Sequence, residues 1–248
     1  MYRRDRLFGK VLTILRGWLE DADVSTIAIV ENRPLMAWHF ASFLRSEKID
    51  FRVFHAWREK RLPGWLTKGN TSALILTGDL HNVTEGLRDY HERELELLDS
   101  SRGKRVFASC FSHQMIAVWK GGTVTRRADR LLGWEEFNTG ERHPALCGVE
   151  RLKAVCMNLE EVVAPPPGAE LLAASENCVC MVLAYGDEIL TCQSHPELAD
   201  SRLFLGALAL AAAGPTLRYR AVFSGMSDPS KAGGARMMRG VVRWLAGQ

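Results

Sequence analysis

Short apolar runs alternate with amphipathic stretches through the first half of the chain. Thr26–Glu31 (TIAIVE) is apolar and β-branched, which predicts a central strand. Arg33-Pro34 opens a helix running to about Glu47, with Leu35, Phe40 and Leu44 facing inward. Asp50–Ala56 reads as a second strand, Arg58–Asn70 as a basic connection punctuated by Gly and Pro, and Ser72–Thr77 (SALILT) as a third strand that stops at Gly78-Asp79. Thr84–Leu98 has the pattern of a polar amphipathic helix. Lys104–Ala108 is a fourth strand, followed by a corner at Cys110 and a helix to Lys120. This alternation predicts a parallel sheet covered on both faces, with sites gathered at the carboxyl ends of its strands. Gly78-Asp79 and Cys110 both fall at such ends.

After Gly121-Gly122 the pattern shortens. Thr123–Arg127, Trp134–Asn138, Leu152–Met157, Ala169–Ala174, Val179–Tyr185 and Glu188–Ser194 read as strands, with Pro165–Gly168 as a rigid turn. Ala199–Ala213 reads as an apolar helix, Leu217–Phe223 as a strand or arm, Met226–Ala235 as a Gly/Ser/Pro loop and Arg236–Leu245 as a final amphipathic helix. At the start, Leu7, Val11, Leu15 and Trp18/Leu19 recur at helical spacing among basic residues, which predicts a helix over residues 1–22 before a turn at Asp23–Ser25. The expected organisation is an N-terminal helical extension (1–25), one α/β domain (26–213) and a C-terminal extension packed on it (214–248).

Composition narrows the class. With 248 residues, 47% of them hydrophobic, the chain has ample material for a packed core. A net charge of +3 gives no reason to expect nucleic acid. No apolar run reaches membrane-spanning length, and the charged N-terminus has no apolar signal region. A cytoplasmic setting is expected, with Cys110, Cys147, Cys156, Cys178, Cys180 and Cys192 as free thiols. No CxxC or HExxH occurs, so no metal and no cofactor is expected.

Cys110 carries the candidate chemistry. A strand-to-helix corner exposes its central side chain and aims the N–H groups and positive dipole of the helix at it, which favours the thiolate. A cysteine nucleophile needs a base and a group to orient that base. His195 ends an apolar strand, and Pro196-Glu197 follows, so a carboxylate can lie beside the imidazole on a stiff turn. Each half alone has a plainer reading, a buried cysteine as a small hydrophobe and His-Pro-Glu as a turn.

Several separated motifs then align with one family. Ala108-Ser109-Cys110-Phe111-Ser112-His113-Gln114 resembles the nucleophile elbow G-x-C-x-G-x-Q of class I glutamine amidotransferases. Cys192-Gln193-Ser194-His195-Pro196-Glu197 is similar to that family's closing Q-x-H-P-E. Leu76–Asp79 sits where the family has its oxyanion turn. Gly121-Gly122, Leu132-Gly133-Trp134 and Asn158–Val162 with Pro165–Gly168 and Leu171–Ser175 resemble later family segments. Roughly Thr26 to Ala213 is covered. Three positions depart from the pattern, with Ala108 and Ser112 in place of the elbow glycines and Asp79 in place of a turn glycine; Asn158-Leu159-Glu160 replaces the family's H-x-D.

The resemblance implies a doubly wound, mostly parallel, flavodoxin-like sheet flanked by helices, with an added small β-sheet. It implies Cys110 as nucleophile, His195 as acid/base and Glu197 as orienter, an oxyanion hole from Phe111 and the Gly78-Asp79 turn, and Gln114 near the glutamyl head group. The implied activity is hydrolysis of a γ-glutamyl amide through a γ-glutamyl thioester, as in plant γ-glutamyl peptidases and a bacterial γ-glutamylanilide hydrolase. The alternatives are a glutaminase subunit feeding ammonia to a separate synthetase and a catalytically silent binding module. The expected partners are a small γ-glutamyl substrate and either a synthetase or a second copy of the chain. The substituted glycines bear on the choice of substrate more than on the triad.

Other features have plain readings. His113 reads as structural, and Cys178, Cys180 and Cys192 as core. Trp119 and Trp134 read as core rather than substrate walls. Arg126, Arg127 and Arg130 read as a solvated face whose sharper alternative is a pocket border that meets a carboxylate. Arg236, Arg239 and Arg243 read as the outer face of the last helix.

Overall fold

The computed structural model describes residues 26–67, 69, 71–139, 142–146, 148–198 and 233–248. Its elements are β1 (Thr26–Glu31), α1 (Met36–Ser46), β2 (Phe51–His55), α2 (Gly64–Thr67), β3 (Thr71–Leu76), α3 (Asp89–Ser100), β4 (Arg105–Ser109), α4 (Phe111–Trp119), β5 (Thr123–Asn138), β6 (Arg151–Ala164), β7 (Glu170–Ser175), β8 (Cys178–Tyr185), β9 (Ile189–Cys192) and α5 (Gly234–Leu245). The predicted helix over 1–22, the turn at Asp23–Ser25, the helix Ala199–Ala213, the Leu217–Phe223 segment and most of the Met226–Ala235 loop lie outside the described residues.

Seven strands form one sheet in the order β2-β1-β3-β4-β9-β8-β7. The first five run parallel, and β8 and β7 continue antiparallel. The expected doubly wound, flavodoxin-like sheet is therefore present, and β5 and β6 form the added antiparallel ribbon.

Period-two alternation explains how an all-apolar strand serves two layers. Ile27 and Ile29 of β1 pack with Phe40 and Leu44 of α1 and with Met237, Met238 and Val241 of α5. Ala28 and Val30 face the opposite layer, with Leu97 and Leu98 of α3 and Phe111, Met115 and Ile116 of α4. The inner residues of β1, β3 and β4 are buried on both faces, and most buried polar residues near them stand at or just beyond strand ends. Glu31, Asn32, Thr77, Asp79 and Ser109 are placed there.

Four details differ from the sequence pattern. Leu35 does not face inward; it precedes the helix with φ 75° and is 69% exposed, because α1 begins two residues after Pro34. A one-turn helix, α2, interrupts the Arg58–Asn70 connection. The single helix expected over Thr84–Leu98 is divided. A 3-10 turn at Val83–Glu85 ends at Gly86, whose φ of 89° stops the helical path, and α3 starts at Asp89. Thr123–Arg127 and Trp134–Asn138 are one strand. The β5–β6 register jumps from Arg126↔Glu160 to Leu131↔Asn158, so the residues between Arg126 and Leu131 bulge out of the ribbon.

Candidate active site

Paired strands place the two halves of the site side by side. β4 lies parallel to β9, with Ser109 opposite Cys192, and Cys110 N–H donates to Cys192 O at 2.8 Å. The chain leaving β4 turns into α4 at Cys110, and the chain leaving β9 reaches His195 three residues on. His195 N–H donates to Val155 O at 2.7 Å, tying that turn to β6.

Cys110 has φ 53° and ψ −111°, one of three non-glycine residues with positive φ among those described. A bulky side chain there is strained, at a cost of about 1–3 kcal/mol, a conformation tolerated where the surroundings impose it. Gly78 and the His195 ring lie close beside it. A Cβ built on Gly78 would sit 3.3 Å from His195 Cε1 and 3.4 Å from Cys110 Cβ. Gly78 therefore gives the thiol and the imidazole their room, and the backbone of the turn passes directly beside both.

His195 and Glu197 are buried, with Nδ1 and Oε1 2.7 Å apart. Burial opposes charge on the imidazole. The Cys110 and Glu197 charges and their hydrogen bonds outweigh it, and hold its pKa well above the usual histidine range. With Nδ1 turned to Glu197, Nε2 is the nitrogen left for the thiol.

The Asp79 carboxylate points away from this pair. Oδ1 accepts from Leu80 N–H at 2.6 Å, His81 N–H at 3.3 Å and Arg33 Nη1 at 3.4 Å; Oδ2 accepts from Tyr90 Oη at 2.6 Å and His91 Nε2 at 3.1 Å. Against burial, the hydrogen bonds from His91, Tyr90 and the Leu80 N–H hold its pKa at about 2. His91 is fully buried, and burial pushes its pKa down. Its Nδ1 accepts Arg88 N–H at 3.2 Å, so the neutral ring carries its proton on Nε2 toward Asp79. Asp79 is not among the described residues with positive φ, so the turn needs no glycine there. Leu80 and His81 thus turn their N–H groups to the carboxylate and are engaged there.

Ser112, in an elbow position, is fully buried and donates to Thr77 O at 2.7 Å. Gln114 lines the cavity beside Cys110, and its amide nitrogen donates inward, to Glu160 O at 2.7 Å and Gln193 Oε1 at 3.0 Å. Glu160 in turn accepts Val83 N–H at 2.6 Å and bonds Thr84 through its N–H and hydroxyl. The Asn158–Glu160 stretch thus braces the turn region instead of presenting a free carboxylate.

A cavity of about 280 Å³ opens beside Cys110. The Asp79–Asn82 turn lines it, with Phe111 and Gln114 of α4, Met157–Glu160 of β6, and Arg130 from the bulge. The pocket-border reading of Arg130 fits this placement. Arg126 and Arg127 pair instead with Glu85 and Glu161. His113 is buried on Thr191 Oγ1 at 2.7 Å, and burial drives its pKa to about 3, consistent with a structural neutral ring. Cys110, Cys156, Cys178, Cys180 and Cys192 are free and buried. Cys178 and Cys192 are pushed up to about 12 by burial, as suits core thiols. No cluster of potential metal ligands occurs among the described residues, and no described helix is long and apolar enough to cross a membrane.

Local pattern misses Asn32, Tyr90 and His91. Asn32 leaves one signal, a polar residue directly after an apolar strand. Tyr90 and His91 leave none, because their partner is eleven or more residues away across a turn.

Known proteins resemble this chain in sequence and in fold. The family described as Glutamine amidotransferase class-I matches residues 44–203. Gamma-glutamyl peptidase 3 of Arabidopsis thaliana is 33% identical over 109 residues, 41% of this chain and 44% of that protein. A glutamine-hydrolyzing GMP synthase subunit of Sulfurisphaera tokodaii is 32% identical over 91 residues, 36% and 48% of the two chains. The chain thus spans about half the length of the curated relatives it matches. The crystal structure of a glutamine amido transferase from Methylobacillus Flagellatus superposes with a TM-score of 0.74 at 21% identity, covering 90% of this chain and 95% of that one.

Proposed function

This chain belongs to the class I glutamine amidotransferase family, and we propose that it is a cysteine hydrolase of γ-glutamyl amide bonds, with Cys110, His195 and Glu197 as its triad. The observation that carries the reading is the convergence of His195 and Cys110 on Gly78, with the imidazole pKa raised by the thiol and by Glu197.

In the proposed reaction the Cys110 thiolate attacks the γ-carbonyl carbon and the carbonyl electron pair moves onto oxygen. Backbone N–H groups of Phe111 and the Gly78-Asp79 turn hold that oxyanion. Collapse of the intermediate expels the amine, which takes its proton from His195 and leaves a γ-glutamyl thioester. Neutral His195 then removes a proton from water as the water adds to the thioester. Glutamate leaves, and the proton returns the pair to its resting state. Glu197 keeps the Nδ1 proton in place and supports the imidazolium. The cavity beside Cys110 accommodates the glutamyl group and part of a leaving group, with Arg130 available to a substrate carboxylate.

A second reading has one observation in its favour. The matches to the archaeal GMP synthase subunits suit a glutaminase that delivers ammonia to a separate synthetase. The assembled triad weighs against a silent binding module. Glutamate release from γ-glutamyl anilides, γ-glutamyl dipeptides and glutamine, with Cys110→Ala in parallel, separates them. Turnover of anilides or dipeptides by the isolated chain supports the hydrolase. Turnover of glutamine only when a synthetase is added supports the ammonia-delivery reading. Wild-type protein inert on every substrate and condition defeats both.

A further inference from the structure

The oxyanion hole of the proposed reaction has two halves on different elements: the N–H of Phe111 on α4 and the turn that follows β3. A hole works only if its donors are preset at the spacing the tetrahedral oxygen needs. We propose that Asn32 and Ser112 are positioning residues that lock these two halves together. The proposal rests on the γ-glutamyl hydrolase reading above.

The contacts sit one residue away from each half. Thr77 directly precedes Gly78, and Ser112 directly follows Phe111. The Ser112 hydroxyl donates to Thr77 O at 2.7 Å. The side-chain amide of Asn32, at the end of β1, donates to Thr77 O at 3.0 Å and to Ser112 Oγ at 3.2 Å, while its backbone N–H donates to Thr77 Oγ1 at 3.0 Å. Asn32, Thr77 and Ser112 are all at least 99% buried, so no water competes for these bonds. Three neighbouring parts of the sheet, β1, β3 and the β4–α4 corner, are thereby cross-linked at one level. A glycine at the Ser112 position, as in the family's elbow pattern, has no hydroxyl with which to join Thr77.

Glu94 of α3 completes the support from the helical layer, with Oε2 3.2 Å from Asn32 Nδ2. It is fully buried; burial, reinforced by the Asp79 charge, pushes its carboxyl well above the ordinary range. Its burial thus disfavours a negative charge on the carboxyl that meets Asn32.

The test uses the full chain as wild type, Ser112→Ala, Ser112→Gly and Asn32→Ala, with thermal melting run on each. Steady-state hydrolysis is measured on γ-glutamyl p-nitroanilide. Reversible inhibition is measured with glutamate γ-semialdehyde, whose carbonyl adds Cys110 and turns its oxygen into the hole. The rate of Cys110 alkylation by iodoacetamide reports on the thiolate alone. In the Ser112 variants kcat is expected to fall roughly 10- to 100-fold, the scale of a displaced catalytic contact. KM should stay nearly constant, and aldehyde affinity should weaken by a similar factor to kcat. Alkylation should hold within about twofold, since the thiol and imidazole are untouched. A folded Ser112→Ala protein with unchanged kcat and aldehyde affinity overturns the proposal. So does alkylation that falls in step with kcat, which would assign Ser112 to the thiolate. If Asn32→Ala does not fold, the Ser112 variants decide. A wild type inert on the anilide and unbound by the aldehyde defeats the γ-glutamyl reading itself, and this proposal with it. A wild type that turns over beside unaffected variants defeats this proposal alone.

Discussion

Glu197 Oε1 lies 2.7 Å from His195 Nδ1, with only Pro196 between the two residues in the chain. The stiff dipeptide spacing brings a carboxylate to an imidazole without help from a distant loop. Glu197→Gln keeps the shape and removes one of the two charges, beside that of Cys110, that raise the histidine pKa. It should lower kcat roughly 100-fold. A proton then leaves the imidazolium more readily, so the alkaline limb of the pH–activity profile should move to lower pH. Steady-state rates across pH 5 to 10 check both effects; a profile superimposable on wild type would refute the role of the charge.

Asp79 makes a separate prediction about acid stability. Its folded pKa of about 2 lies below the unfolded value, so its stabilisation is present above pH ~4 and is lost as pH falls through 2. The shift corresponds to roughly 2 kcal/mol at neutral pH. Urea midpoints measured from pH 7 to pH 2 should show wild type and Asp79→Asn converging at the acid end. Asp79→Ala, which leaves Tyr90 and His91 facing an empty site, should be less stable than Asp79→Asn at pH 7.

Arg130 borders the cavity from the β5 bulge. If it meets a substrate carboxylate, Arg130→Ala should raise KM roughly tenfold, the scale of one charge-assisted hydrogen bond, with kcat little changed. Pairing γ-glutamyl glycine with γ-glutamyl anilide identifies the carboxylate. A loss confined to the dipeptide assigns it to the leaving group, and an equal loss on both assigns it to the glutamyl head.

The described thiols should differ sharply in reactivity. Cys110 opens on the cavity, whereas burial raises Cys156, Cys178, Cys180 and Cys192. Brief iodoacetamide treatment of the native protein, followed by peptide mapping, should label Cys110 first among these five. Labelling of Cys192 at a comparable rate would contradict its placement in the core.

Legibility follows the range of the interactions. The strands β1, β3 and β4 are readable because each is an unbroken apolar run, which buried parallel strands require. Cys110 and the His195-Pro196-Glu197 turn are readable because each is a compact local pattern. Leu35 misleads because helical spacing does not reveal where the first turn begins. The break at Gly86 and the bulge between Arg126 and Leu131 depend on backbone geometry that no side-chain period encodes. The Asp79 and Asn32 networks are invisible for a different reason. Their members come from separate elements, with Asn32 and Ser112 80 positions apart, and only the assembled sheet makes them neighbours. From its charge alone Asp79 would repel an oxyanion; tertiary donors prevent this by turning the carboxylate aside.

The β4–β9 pairing has a consequence for how the protein gains activity as it folds. Cys110 and His195 stand 85 positions apart in the chain, and the pairing of β4 with β9 seats them side by side. The ribbon β5–β6 and the β7–β8 pair are antiparallel neighbours in sequence and form through local closure. The β4–β9 seam demands closure of the long segment that contains them, a late and entropically costly event. Recovery of Cys110 chemistry during refolding should therefore trail the return of secondary structure. A chain cut anywhere between the two strands carries half of a site on each piece.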